Sequence, residues 1–201
     1  MLVLASASPR RSELLTQAGY RFAVHPAHVP EDPLDGEDPI VYVTRLARQK
    51  AETVFRELTG ADGGAGANRM DGQSSLAVLG ADTTVTLDNA ILGKPEDAAD
   101  AARMLRLLSG RTHRVVTGVA VVTAKGAEVA AEATAVRFLT LSEREIADYI
   151  STGEPMDRAG AYAIQGRAAR WIPRIEGCYF NVMGLPLALV SSLLESCDAL
   201  L

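Results

Sequence analysis

The chain has 201 residues, of which 48% are apolar and 22% are charged, and its formal net charge is -5. This length and composition fit one large or two small globular domains and exclude a disordered chain. The excess of acidic over basic side chains argues against a protein that binds nucleic acid through a broad basic surface.

The cysteines and the N-terminal segment bear on the cellular compartment. Cys178 and Cys197 provide neither a disulfide framework nor a paired metal-ligand spacing, so a reducing cytoplasm is expected. Residues 1–5 are apolar without a basic leader, which predicts a strand and not a signal peptide. Because no apolar stretch approaches the roughly 20 residues of a membrane helix, we expect a soluble cytoplasmic protein.

The first predicted elements are a strand and a helix that meet at a short polar turn. Residues 2–5 predict the strand, Ser8 is a candidate N-cap of the helix, and Gly19 ends it. Free backbone N–H groups at such a helix start can bind an anion, and Arg10 and Arg11 add cationic donors at the same place. The alternative is that both arginines only solvate an exposed helix start.

A strand at residues 21–24 leads into an acidic, proline-rich loop and then into a long helix. The loop, residues 26–39, carries Glu31 and four other carboxylates, most of which are expected to be solvated. Apolar residues recur at helical spacing after Asp38-Pro39, namely Ile40, Val43, Leu46, Ala47, Ala51 and Val54. Lys50 lies late in this helix, where an ordinary surface charge would also suit the helix dipole.

Residues 59–75 contain five glycines and show no hydrophobic periodicity, which predicts a flexible surface insertion. The segment lacks a strand-loop-helix setting and a Gly-Lys-Ser/Thr ending. A phosphate-binding P-loop is therefore excluded here.

A lone carboxylate, Asp82, follows the apolar run 76–79 and precedes Thr83 and a second strand-like alternation. Burial of a charge costs free energy unless cations, hydrogen bonds or a metal compensate it. Asp82 is therefore either a satisfied structural residue or a reactive one.

Lys94 lies in a turn before a predicted helix at residues 96–108, after a turn at Asp88-Asn89. Such a position readily holds phosphate, although many lysines precede helices without binding anything. Two long strands, residues 112–123 and 128–139, are predicted to form a hairpin, and Ser142 with Glu145 predicts a capping box.

The segment 153–166 combines three glycines, an aspartate-arginine pair and Gln165, which favours a loop that shapes a pocket wall. A β-hairpin at about residues 171–181 and a helix begun by Pro186 are expected to complete the chain.

These charged residues suit a polyphosphate and a metal. The arginine pair, Lys50 and Lys94 could each neutralise phosphate oxygens in a desolvated cleft. Glu31 and Asp82 suit Mg²⁺, which usually takes one or two carboxylates together with phosphates and waters. The set points to hydrolytic phosphoryl or nucleotidyl transfer, although almost any globular chain offers such residues.

Seven motifs in order make the inference specific. They are Leu-Ala-Ser-Ala-Ser-Pro-Arg-Arg-x-Glu-Leu-Leu (4–15), Arg-Leu-Ala-Arg-x-Lys-Ala (45–51), Leu-Gly-Ala-Asp-Thr (79–83), Gly-Lys-Pro (93–95), Leu-Ser-Gly-x-Thr-His (108–113), Ala-Gly-Ala-Tyr-x-Ile-Gln-Gly (159–166) and Gly-Leu-Pro-Leu (184–187). Their order resembles the Maf family of nucleoside triphosphate pyrophosphatases. The likeness covers nearly the whole chain and spares mainly residues 59–75.

The resemblance implies an α/β fold of the Maf/inosine-triphosphatase-like kind, with a mixed twisted β-sheet, flanking helices and two lobes around a central cleft. Residues 1–201 would form one such domain, often found as a homodimer. The implied reaction is hydrolysis of a nucleoside triphosphate to the monophosphate and pyrophosphate with a divalent cation, Mg²⁺ or Mn²⁺.

The resemblance also implies roles for individual residues. Asp82 aligns with the catalytic carboxylate and is a candidate metal ligand, and Glu31 falls on the acidic metal-side position. The phosphate-handling positions fall on Ser8, Arg11, Lys50 and Lys94. Pro30 stands where the first of two adjacent acids is expected, so Asp32 or water would have to complete the metal shell.

The motifs resemble the branch of the family that acts on dTTP and UTP, with Arg10, Thr83 and Gln165 as the specificity positions. A glutamine amide offers both a donor and an acceptor to the edge of a pyrimidine. Modified uridine and cytidine triphosphates remain open as substrates.

Two other functions compete with this interpretation. A non-catalytic, nucleotide-binding regulator of cell division is one, because the family is named for inhibition of septum formation. Release of pyrophosphate from a panel of nucleotides separates it from an enzyme. The other, a nucleic-acid binder, is disfavoured by the acidic balance.

Overall fold

The computed structural model describes residues 1–60, 76–88 and 90–199. Its strands are β1 (Leu2–Leu4), β2 (Phe22–Val24), β3 (Ala77–Leu87), β4 (Ala90–Leu92), β5 (Thr112–Thr123), β6 (Gly126–Arg137) and β7 (Arg174–Glu176). Its helices are α1 (Pro9–Gln17), α2 (Pro39–Thr59), α3 (Ala98–Leu108), α4 (Glu143–Ile150), α5 (Tyr179–Met183) and α6 (Leu187–Ser196). Short 3₁₀ turns occupy Glu154–Asp157, Ala159–Ala161 and Arg167–Trp171.

The strands form one mixed sheet in the order β2-β1-β3-β5-β6-β7, with β4 also paired to β3. The pairs of β1 with β2 and β3 are parallel, whereas β3, β5, β6 and β7 pair antiparallel in turn. A mixed α/β fold, as predicted, is therefore confirmed. The two-lobe, single-domain organisation stays a prediction.

The helices cover both faces of the sheet because successive side chains of a strand point to opposite sides. On one face, α2 packs through Ala47, Ala51 and Val54 against residues of β1, β3 and β5 such as Val78. On the other face, α1 and α6 bury Leu14, Leu15, Val190 and Leu194 against β1, β3 and β5. Farther along the same face, α3 and α4 surround a third apolar cluster, which contains Val85 and Tyr149.

Two glycines allow α2 to lie directly on the sheet. A Cβ atom at Gly80 of β3 would collide with the backbone carbonyl of Ala47 and lie 2.9 Å from the amide nitrogen of Ala51. A Cβ atom at Gly118 of β5 would lie 2.7 Å from the amide nitrogen of Thr44. Because Gly118 pairs with Asp82, this close approach sets the distance between α2 and the strand that carries the carboxylate.

Several local predictions are confirmed. Asp38 caps α2 by accepting from the amides of Ile40 and Val41, and Ser142 with Glu145 forms the capping box of α4. Ser8 is the N-cap residue of α1, but its side chain makes no capping hydrogen bond. The helix predicted from residue 96 begins at Ala98, because Asp97 accepts from the amide of Asp100 as its cap.

The predicted hairpin at residues 171–181 is wrong. Only Arg174–Glu176 forms a strand, paired to β6, and the chain then enters α5. Gly177, with φ +126°, turns the backbone there, and the amide of Cys178 donates to Thr134 Oγ1 at 3.0 Å. Asn181 is consequently drawn into the core, where its amide donates to the carbonyl of Val115 at 3.0 Å.

Two predictions concern residues that the structure does not describe. Residues 61–75, most of the predicted insertion, and Asn89 of the predicted turn lie outside the described residues. Thr59 is the last residue of α2, and Gly60 follows it as a left-handed C-cap with φ 67°. Among the described helices, none combines the length and apolar character needed to cross a membrane.

Candidate active site

The site is built around a part of β3 that, among the described strands, has a partner on one side only. On the other side, β1 pairs with β3 through Leu79, and β4 pairs with it only from Val85. Residues 80–84 therefore lie in a gap between β1 and β4, while β5 continues to pair with them. Asp82 and Thr83 occupy the middle of this gap.

Asp82 points to the face covered by α2 and meets a buried lysine. Lys50 Nζ lies 2.7 Å from Asp82 Oδ1 and 2.6 Å from Glu31 Oε1. The exposed fractions of the Lys50 and Asp82 side chains are 9% and 12%, whereas that of Glu31 is 56%. The structure thus brings together three predicted site residues from the loop, the helix and the strand. Lys50 is not an ordinary surface charge.

The acidic loop is held over this site by two residues of α2 that the sequence analysis did not identify. The hydroxyl of Tyr42 donates to the backbone carbonyl of Glu31 at 2.7 Å. Arg45 makes a bidentate contact with the carboxylate of Glu37, with Nε and Nη2 each 2.6 Å from an oxygen, and also donates to the carbonyl of Asp32. The position of Tyr42 offered a signal. Tyr42, Leu46 and Lys50 follow one another at four-residue spacing, which places them on one face of the helix.

Thr83 points to the opposite face and contacts Arg11. The guanidinium of Arg11 donates from Nη2 to Thr83 Oγ1 at 3.2 Å, from Nε to the carbonyl of Gly184 at 2.9 Å and from Nη1 to Ser6 Oγ at 3.2 Å. Thr83 Oγ1 also lies 2.9 Å from Thr117 Oγ1 of β5. A guanidinium has five N–H donors, so two remain for a ligand at Arg11.

The charges of these residues influence one another. Burial lowers the pKa of Arg11, while the nearby Asp82 opposes this shift. Burial acts to raise the pKa of Glu31, but the hydrogen bond and charge of Lys50, together with Lys94 and Arg11, leave that pKa below its usual value. Glu31 therefore lies in a field that favours its ionised form, as an anionic metal ligand requires.

Arg10 and Lys94 share a neighbour, Asp157. Lys94 Nζ lies 2.6 Å from Asp157 Oδ1, and both side chains are largely exposed. Burial lowers the pKa of Arg10, an effect that the negative charge of Asp157 opposes. The Nη1 atom of Arg10 is buried and has no hydrogen-bond partner among the described residues.

Two predicted residues remain apart from these contacts. The amide of Ser8 donates to Ser6 Oγ at 3.2 Å, so Ser8 adjoins the Arg11 group through Ser6 and not through its own hydroxyl. Gln165 is exposed, and the side chain makes no hydrogen bond to the described part of the chain. The structure connects its loop to Lys94 instead, since the amide of Gly160 donates to the carbonyl of Gly93 at 3.0 Å.

The residues present fit a divalent metal in part. Glu31 and Asp82 direct two carboxylates at one cationic atom, and two carboxylates are a usual protein contribution to a Mg²⁺ site. Within residues 1–60, 76–88 and 90–199, no group of three or more His, Cys, Asp or Glu side chains could hold a metal. Phosphate oxygens and water would have to supply the other ligands. Asp32 is exposed and contributes its carbonyl to Arg45.

Comparison with known proteins assigns the chain to a family. A family model described as Maf-like protein matches residues 1–197. The chain belongs to the Maf-like protein family. The resemblance stated from the seven motifs is thereby confirmed.

Relatives within this family share about half of their residues with the chain. The dTTP/UTP pyrophosphatase of Koribacter versatilis is 50% identical over 199 residues, which cover 99% of this chain and 95% of the relative. The dTTP/UTP pyrophosphatase of Citrifermentans bemidjiense is 51% identical over 201 residues, 99% of this chain and 96% of the relative. That of Geobacillus sp. (strain WCH70) is 47% identical over 187 residues, with 93% and 92% covered.

Proposed function

We propose that this Maf-like protein hydrolyses dTTP and UTP, or modified pyrimidine nucleotides, to the nucleoside monophosphate and pyrophosphate. The observation that carries the proposal is the contact of buried Lys50 with both Asp82 and Glu31 beside the gap in β3. Nearly full-length relatives named dTTP/UTP pyrophosphatase support it. The proposed setting is the cytoplasm, with a house-cleaning role and a homodimeric assembly.

The cationic residues would receive the triphosphate. Lys50, Arg11 and Lys94 carry the charges that neutralise phosphate oxygens, and the half-buried Arg10 adds an unpartnered donor. Lys50 is held by carboxylates on two elements, so its ammonium group is positioned before substrate arrives. Such preorganised charge stabilises a transition state without reorganisation during the reaction.

Asp82 would act on the attacking water. Its carboxylate lies at the bottom of the gap in β3, where it can hold a water and direct it at phosphorus. Glu31 and Asp82 would hold Mg²⁺ or Mn²⁺, which when bound supplies charge neutralisation of the phosphates and activates water. Because Asp82 Oδ1 already contacts Lys50 Nζ at 2.7 Å, we favour Asp82 as the residue that holds metal and water over outright proton abstraction.

Arg10, Thr83 and Gln165 are proposed to select the base and sugar. Thr83 is fixed between Arg11 and Thr117, so its hydroxyl has a defined position at the gap. Gln165 is exposed and has its amide free to pair with the edge of a pyrimidine.

The decisive experiment is a nucleotide panel. The protein is incubated with each of the common ribo- and deoxyribonucleoside triphosphates and with Mg²⁺ or Mn²⁺, and pyrophosphate is measured. We expect release from UTP and dTTP to exceed release from purine nucleotides. Absence of release from every triphosphate would overturn the proposal and favour the non-catalytic regulator of septum formation.

A further inference from the structure

Two side chains outside the phosphate site hold the turn that carries Gln165. The hydroxyl of Tyr149 accepts from the amide of Ala163 at 3.1 Å. The carboxylate of Glu154 accepts from the amide of Arg167 at 3.1 Å and from the hydroxyl of Tyr149 at 2.8 Å. One connected pair therefore binds the backbone two residues before and two residues after Gln165.

The pair is itself fixed by its surroundings. Tyr149 belongs to α4, is 1% exposed, and packs edge-on against Trp171 with ring centroids 5.2 Å apart. Burial, followed by the hydrogen bond to Glu154, raises the pKa of Tyr149, so its hydroxyl stays protonated and can donate to the carboxylate. The amide of Glu154 donates to Thr152 Oγ1 at 3.2 Å, which fixes the start of the turn Glu154–Asp157.

Gly166 makes room for the Glu154 carboxylate. A Cβ atom at Gly166 would collide with Glu154 Oε1 and lie 2.8 Å from Oε2. The carboxylate thus lies directly over the backbone next to Gln165. Ile164 is buried in the cluster that contains Val85, whereas the next residue, Gln165, is exposed.

The segment that contains this turn also contacts Gly93 and Lys94. Asp157, three residues after Glu154, pairs with Lys94, and Gly160 donates to the carbonyl of Gly93. The contacts that hold the backbone on either side of Gln165 therefore belong to the same segment as the contact of Asp157 with Lys94, a proposed phosphate-binding residue. On a flexible turn, an exposed side chain would lose more conformational entropy when it orders against a base than it does on a turn that is already held in place.

We propose that Tyr149 and Glu154 are positioning residues that present the Gln165 amide to the pyrimidine base. The inference rests on the proposed function, and it adds two residues that determine base preference without touching the substrate. An amide that meets the base in one orientation discriminates the 4-oxo group of uracil from the 4-amino group of cytosine, because the wrong base leaves polar groups unpaired.

The test compares Tyr149→Phe and Glu154→Leu with Gln165→Ala in steady-state kinetics on UTP and CTP. We expect Gln165→Ala to lower the UTP-over-CTP ratio of kcat/KM about tenfold, the size of one lost polar contact. Tyr149→Phe and Glu154→Leu should lower the same ratio about three- to tenfold through KM for UTP, with kcat changed less than about twofold. Glu154→Gln, which keeps an acceptor oxygen, should retain most of the wild-type UTP-over-CTP ratio.

Ser142→Ala is the matched control for stability. It removes the capping box of the same helix, α4, at a cost of about 1 kcal/mol, and leaves the contacts of Tyr149 and Glu154 in place. We expect a lower thermal midpoint and an unchanged UTP-over-CTP ratio. A ratio that falls equally in Ser142→Ala would show that general destabilisation is responsible and would overturn the inference.

The outcomes separate the inference from the proposed function. If Gln165→Ala changes base preference and neither Tyr149→Phe nor Glu154→Leu does, the positioning role is refuted while the proposed function stands. If Gln165→Ala leaves the preference unchanged, the specificity role of Gln165 fails, and the positioning role fails with it. A wild-type protein that releases no pyrophosphate overturns both.

Discussion

Lys50 of α2 and Asp82 of β3 form a buried ion pair, with Nζ of the lysine 2.7 Å from Oδ1 of the aspartate. Burial of two charges is costly, and a buried pair is poor evidence of added stability. The second carboxylate, from Glu31, leaves the cluster with a formal net negative charge of one, which a divalent cation or a cationic contact can balance. Such an arrangement is better explained by chemistry than by folding.

Replacement of Asp82 by Asn tests this explanation. The amide keeps the shape of the side chain but removes the negative charge that pairs with Lys50 and that is proposed to hold metal and water. We expect kcat for UTP to fall about 10²- to 10³-fold, the usual cost of removing one preorganised electrostatic contact from an active site. Pyrophosphate release gives kcat, and circular dichroism verifies that the fold is intact.

Asp88→Asn is the control for this change. Asp88 lies at the end of β3 in an exposed pair with Arg111, and its positive φ of 51° is one that Asn tolerates. It should keep wild-type kcat. Retained turnover in Asp82→Asn would exclude the proposed role of the carboxylate.

The close approach of α2 to the sheet should matter as much as the charges. In Gly80→Ala, the added methyl group meets the backbone of Ala47 and Ala51, which cannot move aside as a flexible side chain could. We expect a loss of at least about 1–3 kcal/mol in the free energy of unfolding, typical of overpacking. Displacement of α2 would also separate Lys50 from Asp82, so kcat should fall.

Gly93→Ala provides the comparison for stability. A Cβ atom at Gly93 meets no atom within 4 Å, and the backbone there needs no left-handed conformation. Denaturant unfolding should detect less than about 0.5 kcal/mol of change. Equal stability of the two variants would contradict the proposed close packing at Gly80.

Local patterns predicted much of this fold because they are set by short-range physics. The Pro9 and Asp38-Pro39 helix starts, the β5–β6 hairpin and the Ser142 capping box each depend on neighbours within a few residues. The final hairpin was predicted wrongly because the apolar residues near 171–181 pack as turns and a short helix around Asn181. That choice depends on contacts with β5 and β6, which are far away in sequence.

The resemblance selected residues of the candidate site but could not report their arrangement. Motif resemblance selected Asp82, Lys50 and Glu31, whereas residue spacing alone left Lys50 open as a surface charge. Its partner Asp82 is 32 residues away, so no local pattern reports the contact. Likewise, Tyr42 and Arg45 look like ordinary helix residues until the acidic loop folds back onto them.

Asp157 pairs with Lys94 and should therefore compete with substrate for its ammonium group. The pair is exposed, so it contributes little to stability, but its carboxylate would compete with a triphosphate for the ammonium group. Asp157→Asn should lower KM for UTP about two- to fivefold at low salt, with kcat unchanged. Because exposed charges are screened, the difference should shrink as ionic strength rises.

Asp198→Asn controls for the change in net charge. Asp198 pairs with Lys125 in an equally exposed contact and has a positive φ of 53° that Asn tolerates. Its KM should match that of the wild-type protein at every salt concentration. If Asp157→Asn raises KM, then Asp157 assists binding, and the competition does not exist.

His113 should make the protein less stable in mild acid. It is 2% exposed in the cluster around Phe138, Nε2 lies 2.8 Å from the hydroxyl of Tyr162, and burial lowers its pKa to about 4. The unfolded state takes up a proton near pH 6.5, whereas the folded state does not. The free energy of unfolding should therefore keep its full value above about pH 6.5 and fall by roughly 3 kcal/mol as the pH drops towards 4. Denaturant unfolding between about pH 7.5 and pH 4.5 measures this slope.

His113→Gln, whose amide can still reach Tyr162, should flatten the dependence of the free energy of unfolding on pH, whereas replacement of the exposed His28 by Gln should not. A slope that is equal in all three proteins would show that His113 does not couple protonation to folding.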